Sequence, residues 1–199
     1  MANKNRVQVW DLFVRLFHWG LVAMFATAYF STVGEQWAHN ASGYAALALV
    51  AARVVWGFVG SRHARFADFV RSPRANWQYA KAALRGSEPR YLGHNPAGGL
   101  MILFLLGMVG GIGVTGWMLT LDAFWGSETV EGLHILLVNS TLVAIPVHIA
   151  AACYESWKHR ENLVWSMVVG TKRESVPADF EHPAKAGEVP TIAGADAVR

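Results

Sequence analysis

The sequence has 199 residues, of which 53% are hydrophobic and 16% are charged, with a formal net charge of +3. Because soluble domains average about 25% charged residues, this composition excludes an ordinary water-soluble domain and predicts membrane segments. The single cysteine, Cys153, excludes an intramolecular disulfide, C-x-x-C-H haem attachment and thiolate-held iron–sulfur clusters, so any cofactor must be held by histidine, carboxylate or backbone groups.

Four apolar stretches are long enough to cross a bilayer, which needs about 20 residues. We predict spans over residues 13–31, 41–60, 98–120 and 133–153. Short links join the first span to the second and the third to the fourth, so the chain is predicted to be an all-α, four-helix up-down bundle. The polar N-terminus precedes an apolar run without a small-residue cleavage site, so we expect the first helix to be a retained anchor.

The long link between the second and third spans, residues 61–97, is too polar to enter the hydrocarbon. Its middle, residues 74–85, mixes aromatic and apolar side chains with charges and predicts a short surface helix. Residues 161–170 are too short to span and are predicted to lie along the membrane surface. Residues 174–199 are rich in Pro, Ala, Gly and charge, which predicts a flexible tail after a membrane domain over 1–173.

The distribution of lysine and arginine predicts the orientation. Of the 17, three lie at or before the start of the first span, seven in the long link, six after the fourth span and one inside the second. The two short links carry only acidic charges, which are Glu35, Asp122, Glu128 and Glu131. We therefore expect a multi-pass protein of the bacterial inner membrane with both termini in the cytoplasm. The positive charge requires no nucleic-acid partner.

Four of the eight histidines lie within or beside the predicted spans: His18, His39, His134 and His148. His134 and His148 are 14 residues apart, so they share a helix face to within roughly 40° but are separated by roughly 21 Å along the axis. One metal cannot bind both, whereas two stacked cofactors can. His148 matches the depth of His18, and His134 that of His39. The spacing therefore predicts two bis-histidine sites, each suited to a flat macrocycle.

Two other interpretations of these histidines were weighed. A single histidine in a membrane helix often serves only as an interhelical hydrogen-bond partner, but four that pair by depth and by face favour ligation. A zinc or di-metal site would need three or four ligands at one depth with carboxylates nearby. No acidic residue lies inside a predicted span, which disfavours such a site.

Several motifs carry a resemblance to a known family. They are RLFHW at 15–19, HNASG at 39–43, GHNPAGG at 93–99, the two histidines of the fourth span, HRENLV at 159–164 and GTKR at 170–173. Over about residues 7–173 the chain resembles the bacterial cytochrome b-561 family, which includes the cytochrome b subunits of membrane-bound nickel–iron hydrogenases. The resemblance implies two non-covalent haem b groups on His18, His39, His134 and His148, and electron exchange with quinone. Hydrogenase-type members are usually longer, so no hydrogenase partner is assigned.

Three further residues are candidates for binding a cofactor. Arg53 lies 14 residues after His39, about 21 Å further along the same helix. This places it near the inner haem, which is the one on His18 and His148. We expect it either to pair with a haem propionate, since the sequence offers no acidic side chain nearby, or to extend to the headgroups. Arg15, one turn before His18, has the same two interpretations. His94 is expected to bind a propionate or a quinone carbonyl, or only to make a hydrogen bond at the helix start before Pro96.

Two classes of function stay open. The first is an electron-transfer protein, either a quinol-linked oxidoreductase or an electron-transfer subunit, which exchanges electrons with quinone and with a redox protein such as a periplasmic cytochrome. Iron with two imidazole ligands has no open position, which disfavours oxygen chemistry. The second is a membrane anchor or docking subunit for a soluble oxidoreductase such as a hydrogenase or cytochrome c. A third class, a proton-coupled transporter that uses its histidines, predicts a purified protein without the colour of haem. A homodimer and the direction of electron flow are left open.

Overall fold

The computed structural model describes residues 6–32 and 34–174. Its secondary structure consists of seven helices and one two-stranded sheet, with two short 3-10 turns at Arg62–Ala64 and Asp122–Phe124. In chain order the elements are β1 (Arg6–Gln8), α1 (Leu12–Phe30), α2 (Gln36–Val59), α3 (Phe66–Phe69), α4 (Pro73–Leu84), α5 (Pro96–Met118), α6 (Glu128–Lys158), α7 (Leu163–Val169) and β2 (Thr171–Arg173).

The four predicted spans are confirmed as α1, α2, α5 and α6, each long and apolar enough to cross a membrane. Two of these helices extend beyond their apolar stretches. α2 begins at Gln36, so His39 lies in its first turn and not before it. α6 begins at Glu128, where Ser127 caps the helix and Glu128 and Glu131 in the first turn suit its dipole. His134 therefore lies in the second turn of α6 and not at its start.

The long helices pack in sequence order, α1 on α2, α2 on α5 and α5 on α6. Ala46 and Val50 of α2 and Leu106 and Val109 of α5 form the main buried cluster. A β-carbon on Gly113 would lie 2.9 Å from Leu47, so this glycine permits the close approach of α5 to α2. Among the described residues, α6 makes at most marginal backbone contact with α1 and α2. α6 therefore stands apart from these two helices, which carry His18 and His39.

The polar segments assemble as a cap at one end of the bundle. β1 pairs with β2 in antiparallel register, with Val7 opposite Lys172. α4 matches the helix predicted within 74–85, and α7 lies within the segment 161–170. The three basic segments are thus at one end, as the charge distribution predicted. Their placement in the cytoplasm stays a prediction, as does the division into a domain over 1–173 and a tail over 174–199, since residues 175–199 lie outside the described part.

The cap has its own buried core, which the sequence analysis did not anticipate. Val9, Trp10, Val14 and Ala64 pack together in it. The position of Trp10 beside the first span favours a place in an interfacial aromatic belt, but its side chain is buried and donates from Nε1 to Ser166 Oγ at 3.2 Å.

The polar segments around His63, His159 and His182 predict that all three are solvated, and for the first two this is wrong. His63 Nδ1 lies 3.1 Å from Asp68 Oδ2, and His159 Nε2 lies 3.2 Å from Glu155 Oε2. Both side chains are largely shielded from solvent, because the long link folds back onto the helix ends. His182, the third histidine expected to be solvated, lies outside the described residues.

Candidate functional site

The structure brings His39 of α2 and His134 of α6 together. The centroids of their rings are 6.4 Å apart, and the ring planes are inclined at 67°. An imidazole nitrogen binds a transition metal at about 2.0–2.1 Å, so two imidazoles on opposite sides of one iron place their ring centres roughly 6 to 6.5 Å apart. The spacing of this pair therefore fits axial ligation of a single iron.

Hydrogen bonds fix the tautomer of both rings. His39 Nδ1 lies 2.8 Å from the Ala28 carbonyl oxygen, which can only accept, so Nδ1 carries the proton. His134 Nδ1 lies 2.9 Å from Thr115 Oγ1, and the Thr115 hydroxyl donates to the Gly111 carbonyl at 2.8 Å, so its oxygen accepts from His134. Each ring is left with an unprotonated Nε2. Histidines that bind metals generally donate their other N–H in this way.

The side of α5 facing His134 has little bulk. A β-carbon on Gly116 would lie 3.2 Å from His134 Cε1, so the glycine leaves space for the ring. Thr115, the preceding residue, is buried and is the one hydroxyl side chain of α5. Sequence reasoning missed Thr115. Its isolation in an otherwise hydroxyl-free helix was the available signal.

The second candidate pair is His18 of α1 and His148 of α6. These side chains are close enough to interact electrostatically, and both are partly buried. His18 packs edge-on against Trp19 with ring centroids 5.0 Å apart, and its Nδ1 is buried without a hydrogen-bond partner among the described residues. α6 thus carries one histidine that contacts His39 of α2 and another that interacts with His18 of α1.

Arg53 points into the protein. Its side chain is 3% exposed, its Nη2 donates to the Ala64 carbonyl at 2.9 Å, and its guanidinium lies 5.6 Å from the centre of the Phe66 ring. The expectation that it extends to the headgroups is therefore wrong. So is the expectation that no acidic side chain lies nearby, since Asp11 interacts with it electrostatically. Arg53 Nη1 remains buried and unpartnered among the described residues.

Asp11 joins three segments, a role that no sequence pattern indicated. Its carboxylate caps α1 by accepting from Val14 N at 2.8 Å, and it also accepts from Trp56 Nε1 at 2.9 Å and Ser61 Oγ at 2.5 Å. Burial favours the neutral form, but these hydrogen bonds and the charge of Arg53 together hold the pKa of Asp11 below its usual value. An ionised Asp11 therefore connects α1, α2 and the long link.

Arg15 contacts the surface helix of the cap. Its Nη1 donates to the Val168 carbonyl at 2.8 Å, which places the guanidinium at the C-terminal end of α7, where the helix dipole favours a cation. Its Nε is buried without a partner among the described residues.

His94 is enclosed by aromatic rings, with centroid distances of 4.4 Å to Trp10 and 5.2 Å to Phe69. The helix-start hydrogen bond that we expected of it is made instead by Asn95, whose Oδ1 accepts from Gly98 N at 2.7 Å. His94 Nδ1 is buried and has no hydrogen-bond partner in the described part of the chain. Burial, together with the charges of Lys172 and Arg53, lowers the pKa of His94 to about 3, so the ring is neutral at pH 7.

Four predicted site residues at the capped end therefore each retain one buried nitrogen without a protein partner in the described residues, namely Arg15, His18, Arg53 and His94. Buried polar atoms are nearly always hydrogen-bonded in folded proteins, so such a set favours a polar ligand. Within the described residues there is no group of three or more His, Cys, Asp or Glu side chains that could hold a metal ion. A zinc or di-metal site would need such a group, whereas paired histidines suit a macrocycle that brings its own nitrogen ligands.

Comparisons with known proteins give the family of the chain. The profile of the prokaryotic cytochrome b561 family matches residues 9–170. The chain is 28% identical to the probable Ni/Fe-hydrogenase B-type cytochrome subunit of Azotobacter vinelandii, over 85% of this chain and 90% of that protein. It is 26% identical to the protein of the same description from Rhodobacter capsulatus, over 85% and 82% of the two chains. No solved structure gives a significant match. The chain belongs to the prokaryotic cytochrome b561 family, a family of membrane electron-transfer proteins that carry haem b.

Proposed function

We propose that this protein is a transmembrane cytochrome b with two haems, one between His39 and His134 and the other between His18 and His148. The observation that carries the proposal is the pair of His39 and His134. Their ring centroids are 6.4 Å apart, and both Nδ1 atoms make hydrogen bonds. Family membership supports haem b as the cofactor. We infer the number of haems and the identity of the ligands from the histidine pairs.

The side chains present fit the groups that a haem b would offer. Two imidazoles would fill both axial positions, so the protein would leave no coordination site for oxygen. At the capped end, Arg53 and Arg15 each have a buried N–H available for a carboxylate, as a propionate would require. His94 could bond a propionate or a quinone oxygen through Nδ1, provided that this nitrogen carries the proton. Haem b, when bound, supplies one-electron oxidation and reduction.

The two sites would be arranged for electron transfer across the bilayer. α6 holds His134 and His148 roughly 21 Å apart along its axis, so each site would lie near one membrane face. Apolar side chains around each pair would exclude water and tune the potential. We propose that the capped end faces the cytoplasm of the inner membrane and exchanges electrons with quinone there.

We propose that the other end of the bundle meets a protein redox partner. Exposed carboxylates line the short links at this end, on Glu35, Asp122, Glu128 and Glu131. Such a rim favours a basic partner, for example a periplasmic cytochrome, by steering its approach.

A second candidate function is supported by the relatives, which are described as probable Ni/Fe-hydrogenase B-type cytochrome subunits. In that role the chain would anchor a soluble oxidoreductase such as a hydrogenase and accept its electrons. The two functions are compatible, because an anchor subunit with haems can pass electrons to quinone.

The test is haem quantitation by the pyridine haemochrome method on purified protein, followed by reduction with a quinol analogue. We expect two haem b per chain and a reduced b-type spectrum without any added partner. A colourless protein would reject the haem proposal. A haem-loaded protein that quinol fails to reduce, but that a co-purified oxidoreductase reduces, would favour the anchor function.

A further inference from the structure

The turn that follows α6 contains an unusual backbone conformation. Arg160 has φ 51, and it is the one non-glycine residue with positive φ among those described. Other described positions with positive φ hold glycine: Gly34, Gly86, Gly126 and Gly170. The turn closes with a hydrogen bond from Glu161 N to the Ser156 carbonyl at 3.0 Å. Glycine is the usual residue at this position after a helix, because the left-handed region costs other residues roughly 1 kcal/mol. A non-glycine residue in this conformation, such as Arg160, indicates that its side chain has a function.

The neighbouring helices place this turn at the depth of the lipid headgroups. It connects the end of the spanning helix α6 to α7, whose Val164, Trp165 and Val168 are exposed. A short helix with an exposed apolar face at the end of a span is suited to lie along the membrane surface. Trp157 and Tyr154 at the end of α6 are also exposed, at 78% and 48%, as in the aromatic belts of membrane proteins.

Two grooves flank the Arg160 side chain. One has a volume of about 390 Å³ and is lined by Gly86, Tyr154, Trp157, Lys158 and Arg160. The other has a volume of about 530 Å³ and is lined by Cys153, Ser156, Glu161, Asn162 and Val164 together with Trp157 and Arg160. Arg160 and Trp157 thus form the wall between the two grooves.

Three of the side chains that line these grooves are donors without partners among the described residues, and the charged side chains Lys158 and Glu161, which also line them, are paired. In the described part of the chain, the Arg160 guanidinium, the Trp157 indole N–H and the Tyr154 hydroxyl make no hydrogen bond, although the Tyr154 and Trp157 rings lie 6.3 Å apart. The carboxylates nearby are already committed. Glu161 pairs with Arg90 at 2.9 Å and accepts from Arg173 N, and Glu88 pairs with Lys158. The grooves therefore present a cation and two neutral donors to lipid, which is the chemistry that binds a phosphate.

We propose that the turn at 159–162 is a binding site for an anionic phospholipid, with the Arg160 guanidinium as the anchor of its phosphate. The acyl chains would follow the grooves beside Trp157 and Val164 towards the hydrocarbon. A lipid with a net negative charge is favoured over a zwitterionic one, because clustered basic residues attract anionic headgroups and the nearby Glu161 and Glu88 carboxylates are paired with Arg90 and Lys158. The site does not depend on the haem proposals, since none of its residues is a candidate haem ligand.

The test is native mass spectrometry of the purified, detergent-solubilised protein with equal amounts of phosphatidylglycerol and phosphatidylcholine that carry the same acyl chains. We expect wild-type protein to retain phosphatidylglycerol in preference to phosphatidylcholine. In Arg160→Gly the ratio of the two bound lipids should fall about tenfold, because the hydrogen bond between guanidinium and phosphate is lost. Arg160→Gly suits the left-handed conformation, so its midpoint of thermal unfolding without lipid should equal or exceed that of wild type. Arg160→Asn, which also tolerates this conformation, is the second variant.

The matched control is Arg74→Gln, which removes an exposed arginine of α4 at the same end of the protein. This control should bind phosphatidylglycerol as wild type does. The proposal is overturned if both Arg160 variants keep the preference, if wild type shows none, or if Arg74→Gln loses as much as they do, since a loss of that kind would reflect general surface charge.

Discussion

Thr115 accepts a hydrogen bond from His134 at 2.9 Å and donates one from its own hydroxyl to the Gly111 carbonyl at 2.8 Å. This relationship joins α5 to α6 and leaves His134 Nε2 without a proton, in a ring that lies 6.4 Å from the ring of His39. It belongs to the class of interactions that orient a ligand and raise its basicity.

Thr115→Val keeps the shape of the side chain and removes the acceptor. We expect the haem between His39 and His134 to bind about 10- to 100-fold more weakly, because the His134 ring loses the hydrogen bond that orients it. The measurement is transfer of haem to excess apomyoglobin, followed by absorbance. Thr115→Ser, which keeps the hydroxyl, should release haem at nearly the wild-type rate, and equal release from the Val variant would contradict this role for Thr115.

Gly116 gives a steric test of the same site. A β-carbon there would lie 3.2 Å from His134 Cε1, whereas one on Gly107 of the same helix would meet nothing within 4 Å. We expect Gly116→Ala to displace the ring and to alter the electron paramagnetic resonance signal of one oxidised haem. Gly107→Ala should leave both signals unchanged. Identical spectra for the two variants would show that the His134 ring is not confined by α5.

The four spans and the pairing of histidines by depth were accessible from sequence, because helical geometry is regular and apolar stretches have a defined length. Thr115 and Asp11 were not. Each acts across a tertiary contact, Thr115 with a residue 19 positions away and Asp11 with residues 45 and 50 positions away. Hydropathy and periodicity carry no information about such contacts. The burial of Trp10 was missed for the same reason, since it depends on how the cap folds.

Arg53 should contribute to stability through its buried hydrogen bond. Arg53→Met would leave the Ala64 carbonyl without its donor and Asp11 without a neighbouring cation. We expect a loss of about 1–3 kcal/mol, seen as a lower midpoint of thermal unfolding. The exposed Arg74→Gln should change stability by no more than about 0.5 kcal/mol. Equal midpoints for the two variants would mean that the Arg53 contacts contribute no net stability.

His94 should make stability depend on pH. Its folded pKa of about 3 lies below the usual value of 6.5, so between these values the unfolded chain binds a proton that the folded protein does not. Stability therefore falls as the pH falls through 6.5, by at most about 1.4 kcal/mol per pH unit from this group. Thermal unfolding between about pH 5 and 6.5 is the measurement, and His94→Leu should flatten the slope. Parallel slopes for wild type and variant would refute this origin of the pH dependence.

The central claim is that His39 and His134 bind the same haem. Haem content per chain, measured on His39→Ala, His134→Ala and the double variant, tests it most directly. We expect each single variant to retain one haem and the double variant to retain that same one, while His159→Ala retains two. Two haems in either single variant, or none in the double variant with folding intact, would contradict the claim.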